Sequence, residues 1–276
     1  MTAHAVRQGP TVIGDDARRL FALAWTLATT DFKLRFYGST LGYAWTLVRP
    51  FALFGVLWIV FAEILELGGD VKDYPAYILL SMTFFQFFRA IVDNGLLCLV
   101  ARENLLRKMR FPRLVIPMAV TLSALFELAL TLVAVTIFLF GSGIWPTWGW
   151  LELIPIAILL TMLGSGLGLL LSVLYVRFRD MAPIWDVVAQ MLFYATPVIY
   201  VATMVPDSWR MWVLFNPLAA AVTQLRHAVI DQKAPTAAAA IGGGDRLLVP
   251  LAIVFGLLAL GAWAFSREAP RVAENL

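Results

Sequence analysis

Charge is scarce in this 276-residue chain: Asp, Glu, Lys and Arg make up 14% of it, against 61% apolar residues. A soluble domain carries about a quarter charged and about half apolar residues. Departure in both directions at once, with a mean hydropathy of +0.82, points to a membrane. Cysteine is nearly absent, and the lone Cys98 excludes an intrachain disulfide framework and any multi-cysteine zinc or iron–sulfur site. Two histidines, His4 and His227, leave no histidine-rich metal centre. A net charge of +3 is too small to argue for a nucleic-acid partner. No phosphate-cradling loop is present, because the run Gly242-Gly243-Gly244 leads into Asp245-Arg246 and not into Lys-Ser or Lys-Thr. Ser165 lacks nucleophile-elbow spacing, and no histidine lies in an apolar run to act as a base. The chain is therefore read as carrying no catalytic, cofactor or metal site of its own. The first forty residues also lack an apolar core followed by a small-residue cleavage site, so the N-terminus is expected in the cytoplasm.

What is there is a series of apolar runs. Spanning a bilayer takes about 20 mostly apolar helical residues, and six stretches qualify: Leu41–Leu65, Tyr74–Val100, Val115–Phe140, Leu151–Val176, Pro183–Val201 and Leu247–Phe265. With the N-terminus inside, 15 of the 21 Lys and Arg residues fall on the inner side, counting Arg49 near the inner end of the first span, five on the outer side, and Arg89 within the second span. The positive-inside rule favours that orientation, with both termini cytoplasmic. The fold class expected is all-α: six transmembrane helices, an N-terminal amphipathic interface helix, and a re-entrant helix pair between helices five and six. Residues 1–40 form the cytoplasmic N-terminal segment, 41–265 the six-span domain, and 266–276 a cytoplasmic tail.

Phe21, Trp25, Ala28, Phe32 and Phe36 recur at spacings of three and four, with Arg18, Arg19, Lys33 and Arg35 near them. This pattern reads as a helix on the inner membrane surface, the alternative being a helix packed on the protein itself. The loop after the second span holds Arg102, Glu103, Arg107, Lys108, Arg110 and Arg113, interleaved with Leu105, Leu106, Met109 and Phe111. Anionic lipid accounts for the charge; the apolar residues between the charges point to a short helix that docks into a partner. Between the fifth and sixth spans, Trp209–Phe215 and Leu218–Val222 are apolar, too short to cross, and interrupted by Pro206 and Pro217. Non-helical backbone at membrane depth needs protein or a water-filled cavity around it, so a re-entrant pair against a pathway or an interface is expected.

Ionisable groups inside spans are costly. Arg89 and Asp93 stand four apart on one helix face and are read as a structural pair. Glu127, alone near the middle of the third span, is either a satisfied structural group or a pathway group. Gly164, Gly168 and Ser172 form a small-residue stripe suited to a close helix crossing, preferably within the subunit. Of the many aromatics, Phe193, Tyr194 and Tyr200 in the fifth span are candidates to line a translocation path, together with Glu127.

Three segments in register carry a resemblance. They are Asp31-Phe32-Lys33-Leu34-Arg35-Phe36-Tyr37-Gly38-Ser39-Thr40-Leu41-Gly42-Tyr43-Ala44-Trp45, running to Arg49-Pro50; Asn104-Leu105-Leu106-Arg107-Lys108 with Phe111-Pro112 and Pro117; and Ala195-Thr196-Pro197-Val198-Ile199-Tyr200 with Asn216-Pro217-Leu218 and Arg226. Together they resemble the permease subunit of type-2 ABC exporters of bacterial cell-surface polysaccharide, such as O-antigen, teichoic acid and galactan. Arg89 departs from that pattern, where a small or uncharged polar residue is expected. The resemblance implies an inner-membrane homodimer of six-span subunits that moves a lipid-linked polysaccharide, with ATP and Mg on a separate ATPase subunit. Arg102, Glu103, Leu106, Arg107, Lys108, Arg110 and Phe111 would dock that ATPase, and Phe21, Trp25, Phe32 and Arg35 would belong to the interface helix. A permease for a small hydrophobic compound shares the fold and is the first alternative. A membrane-embedded enzyme of glycan or lipid assembly is the second.

Overall fold

Backbone placed in hydrocarbon has no water to bond, so it closes its hydrogen bonds within helices. The computed structural model describes residues 17–35, 42–66, 69, 71–103 and 112–275, and these are mostly helical with no strand among them. In chain order the helices are α1 (Ala17–Arg35), α2 (Trp45–Trp58, continued by a π-helical turn Ile59–Ile64), α3 (Tyr74–Ala101), α4 (Val115–Gly141), α5 (Leu153–Arg177, preceded by a 3-10 turn Trp148–Glu152), α6 (Met181–Ala195), α7 (Asp207–Leu214), α8 (Pro217–Leu225), α9 (Ala237–Ile241) and α10 (Leu248–Asn275).

Among the described residues, five segments are long and apolar enough to cross a membrane: Trp45–Ile64, Tyr74–Ala101, Val115–Gly141, Trp148–Arg177 and Gly244–Glu268. The stretch Pro183–Val201 differs from expectation. Its helix is α6, with 15 residues, about 22 Å at 1.5 Å per residue. It stops because Thr196 precedes Pro197 and is extended, at φ −93° and ψ 136°.

α3 is the centre of the molecule, buried along most of its length from Tyr74 to Leu99. α5 packs most extensively against α10 on one side and α3 on the other, and glycine makes both contacts possible. A Cβ on Gly95 would lie 3.1 Å from the Gly168 Cα, and one on Gly164 would lie 3.1 Å from the Ile91 side chain. The stripe at Gly164 and Gly168 is therefore a crossing inside the chain. The opposite crossing, Gly166 of α5 against Gly261 of α10, is tighter: a Cβ on Gly166 would lie 2.6 Å from the Leu258 backbone. A single-helix stripe does not reveal it.

The chain after α6 is irregular yet buried, with Thr196, Val198 and Val201 almost fully enclosed. Its carbonyls are met by tyrosines from the start of α3. The Tyr74 hydroxyl donates to the Ile199 carbonyl, and the Tyr77 hydroxyl to the carbonyls of Pro197 and, at 2.8 Å, Tyr200. Asn216 caps α8 by accepting from the Leu218 amide at 3.0 Å and donates to the Thr196 hydroxyl at 3.0 Å. The motifs at 195–200 and 216–218 thus form one hydrogen-bonded unit. α7 and α8, of 8 and 9 residues, are two short helices joined at Phe215-Asn216. Arg210 of α7 donates to the carbonyls of Ala202 and Val205, at 3.1 Å and 2.9 Å.

α1 runs alongside the first half of α4. Leu20 and Ala24 pack with Val115, Ala28 meets Ser123, and Phe32 meets Phe126. The buried face is Leu20, Ala24 and Ala28, while Phe21 and Trp25 are exposed. Of the stripe expected on the membrane surface, Ala28 is buried against the protein, while Phe21 and Trp25 are left exposed. Both faces of α1 are apolar, which a single periodicity count cannot separate.

Candidate functional site

A charged seam joins α3 and α6. Arg89 is close to the middle of α3, and Asp93 follows it by one helical turn on the same face. The Arg89 guanidinium donates to Asp93 Oδ2 at 3.2 Å and to Asp186 Oδ1 of α6 at 3.2 Å. The second Asp93 oxygen accepts from the Trp185 indole N–H at 2.5 Å. Trp185 is buried edge-on to Phe88, with ring centroids 6.3 Å apart, which holds the Asp93 carboxylate in place. The pair expected within α3 is therefore half of a larger arrangement of one cation and two anions. Side-chain exposure is 40% for Arg89, 39% for Asp93 and 67% for Asp186. A charge at the centre of a membrane helix costs about 2.5–3.5 kcal/mol by insertion measurements. Ionisable groups within spans generally face protein or water.

α6 continues the exposed face. Asp186, Gln190 and Tyr194 follow one another at four-residue spacing, and all three are exposed beside Val187 and Met191. Phe193 turns inward, edge-on to Phe85 at 5.2 Å and to Tyr194 at 5.3 Å. The Tyr200 hydroxyl donates to the Tyr194 carbonyl at 3.2 Å. The structure brings Phe193, Tyr194 and Tyr200 together, with Tyr194 exposed and Phe193 packed against the core. Glu127 is engaged elsewhere, ion-paired with Arg35 of α1. The residue missed from sequence is Asp186. A carboxylate inside the apolar run 183–201 was the available signal, since an ionisable residue in a span marks a functional site by default.

A second charged junction lies where α1 meets α3 and α4. Besides Arg35–Glu127, Arg102 at the end of α3 pairs with Asp31 of α1. Burial pulls the Arg35 guanidinium below its ordinary range, while Asp31 pushes it back up. Trp25 and Phe32 flank the Phe126 ring edge-on at 5.1 Å and 5.9 Å. These contacts fix α1 to the end of α3 from which the basic loop departs. Arg102 and Glu103 are described, whereas Leu106, Arg107, Lys108, Arg110 and Phe111 lie outside the described residues. Among the described residues, no group of three or more His, Cys, Asp or Glu is placed to hold a metal ion.

The family model described as "ABC-2 type transporter" matches residues 22–230. The chain belongs to the ABC-2 type transporter family. The match takes in the α1 junction, the α3–α6 seam and the 196–218 unit, and stops before α10. As an ABC-2 membrane subunit the chain is a multi-pass transporter component, and ATP hydrolysis belongs to a separate ATPase subunit. It is 27% identical over 208 residues to the O-antigen export system permease protein RfbA of Klebsiella pneumoniae, covering 75% of this chain and 80% of that protein. Over 254 residues it is 27% identical to the RfbA protein of Myxococcus xanthus, covering 91% and 94%. The polysialic acid transport protein KpsM of Escherichia coli is 23% identical over 202 residues, 72% of this chain and 78% of that protein. The ABC-2 subunit thus aligns over most of the length of each relative.

Proposed function

We propose that this chain is the membrane subunit of an ATP-driven exporter that carries a lipid-linked polysaccharide across the cytoplasmic membrane, acting as a homodimer with a separate ATPase. The observation that carries this reading is the ABC-2 match over residues 22–230 together with relatives named for O-antigen and polysialic acid export. ATP and Mg²⁺ would be held by the ATPase.

A sixth crossing is part of the reading. α6 runs antiparallel to α3, with Trp185 beside Asp93, Phe193 beside Phe85, and Pro197 and Ile199 beside Tyr77 and Tyr74. From Asp93 back to Tyr74 is about 28 Å of helix, close to the roughly 30 Å of hydrocarbon. Helix α6 and the irregular segment after it therefore cover a full crossing, with the tyrosines supplying the donors that the helix no longer does. The α7–α8 pair then re-enters from outside, and both termini lie in the cytoplasm, as the basic residues favour.

In this arrangement α1 and the basic loop from Arg102 to Phe111 face the ATPase, and the Arg102–Asp31 pair couples them. The exposed α6 face with Tyr194 lines the path. Glu127, held by Arg35, fastens α1 to α4 and does not line it. The test is affinity purification of the tagged chain from its native membrane, followed by surface-glycan analysis of a deletion strain. An ATPase in about equal amount, and a surface polysaccharide that is lost on deletion and restored by the gene, is the expected result. A chain that recovers no ATPase, or a deletion strain with unchanged surface glycan, overturns the reading.

A further inference from the structure

We infer that the α3–α6 seam is a wet, net-negative stretch of the translocation path, with Asp186 the specificity-determining residue that admits uncharged glycans and holds back polyanionic ones. This rests on the exporter reading above and deepens it.

Three observations carry it. The seam holds two carboxylates and one guanidinium, so each copy leaves one negative charge uncompensated. Asp93 is doubly held, by Arg89 and by the Trp185 indole. Asp186 has a single contact from Arg89 and is 67% exposed, so it is the carboxylate free to meet what passes. Third, its neighbours Val187, Met191 and Tyr194 are exposed on a face largely made of apolar side chains, where low-dielectric surroundings strengthen the field of the seam's uncompensated charge.

Symmetry decides what covers this face. On the axis of a twofold dimer a patch meets its own copy, and two net-negative seams pressed together there without water would repel at short range and low dielectric. By the register above, the seam lies toward the inner end of the crossing, where ions keep to water or protein and away from lipid tails. Water between the copies satisfies both conditions. A sugar hydroxyl donates to Asp186 as well as water does, whereas a carboxylate or phosphate on the polymer is repelled. Uncharged polyols therefore fit the site and polyanions do not.

The test uses the intact complex with its ATPase in membranes. Cys98 is buried, and Cys98→Ala leaves Gln190→Cys, one turn from Asp186, as the only thiol. Labelling rates are measured with a quaternary-ammonium and a sulfonate methanethiosulfonate of similar size. The expected result is a cationic preference of about tenfold or more, which Asp186→Asn collapses towards parity while Asp245→Asn, in the loop before α10, leaves it unchanged. Absence of labelling by both reagents means the face is dry, and a preference unaffected by Asp186→Asn means this charge does not set the field; either overturns the inference. Labelling involves no glycan. The charge pattern found in a chain whose deletion leaves the surface glycan intact would remove the exporter reading alone. In cells, Asp186→Asn is expected to raise export of an acidic glycan relative to a neutral one.

Discussion

The Tyr77 hydroxyl reaches across 123 residues of sequence to the Tyr200 carbonyl at 2.8 Å, and the same oxygen bonds the Pro197 carbonyl. One phenol thereby replaces the amides that a helix would have offered to the chain after α6. Burial of unpaired backbone at this depth is otherwise expensive.

Tyr77→Phe removes that donor and keeps the ring. The Pro197 and Tyr200 carbonyls lose the O–H proton they share, at about 1–3 kcal/mol. The variant is expected to express with a lower thermal midpoint in detergent, and Tyr74→Phe to behave similarly. An unchanged midpoint in both would mean that water serves these carbonyls instead.

The α5–α10 crossing is expected to tolerate no side chain. A Cβ on Gly166 meets the Leu258 backbone, and one on Gly261 meets the Gly166 backbone. Gly166→Leu and Gly261→Leu should abolish folded protein in size-exclusion profiles. Gly256→Ala, with open space around its position, is the neutral control. Gly164→Ala should lie between, because its neighbour is the Ile91 side chain and can shift.

Arg35 and Glu127 offer a test of what Glu127 does. Glu127→Gln leaves the half-buried Arg35 without its carboxylate on α4 and should weaken both export and retention of the ATPase. The exchange Arg35→Glu with Glu127→Arg restores the pair and should recover much of both. Failure of the exchange, with Glu127→Gln sensitive only in export, would return Glu127 to the path.

In the basic loop, Arg107→Glu with Lys108→Glu reverses two charges five and six residues along the chain from Arg102. The double variant should insert and fold normally yet recover at least about tenfold less ATPase in a pull-down. A loss of about 1.4 kcal/mol of docking suffices for that factor. Normal recovery and normal export would sink the docking role.

The apolar runs alone determined most of the helices. Expected spans at Tyr74–Val100 and Val115–Phe140 end within a residue of α3 and α4, because a helix in lipid closes its own hydrogen bonds and needs no information beyond its own residues. The motifs at 195–200 and 216–218 were also visible as sequence, though not that Asn216 bonds Thr196. Tertiary structure decided which face of α1 is buried, that Gly166 opposes Gly261, that Glu127 belongs to Arg35, and that Arg89 reaches past Asp93 to Asp186. The physical reason is range. Helix formation depends on neighbours within four residues. A charge, a glycine or a buried carbonyl acquires its role from a residue brought alongside by packing, often a hundred positions away.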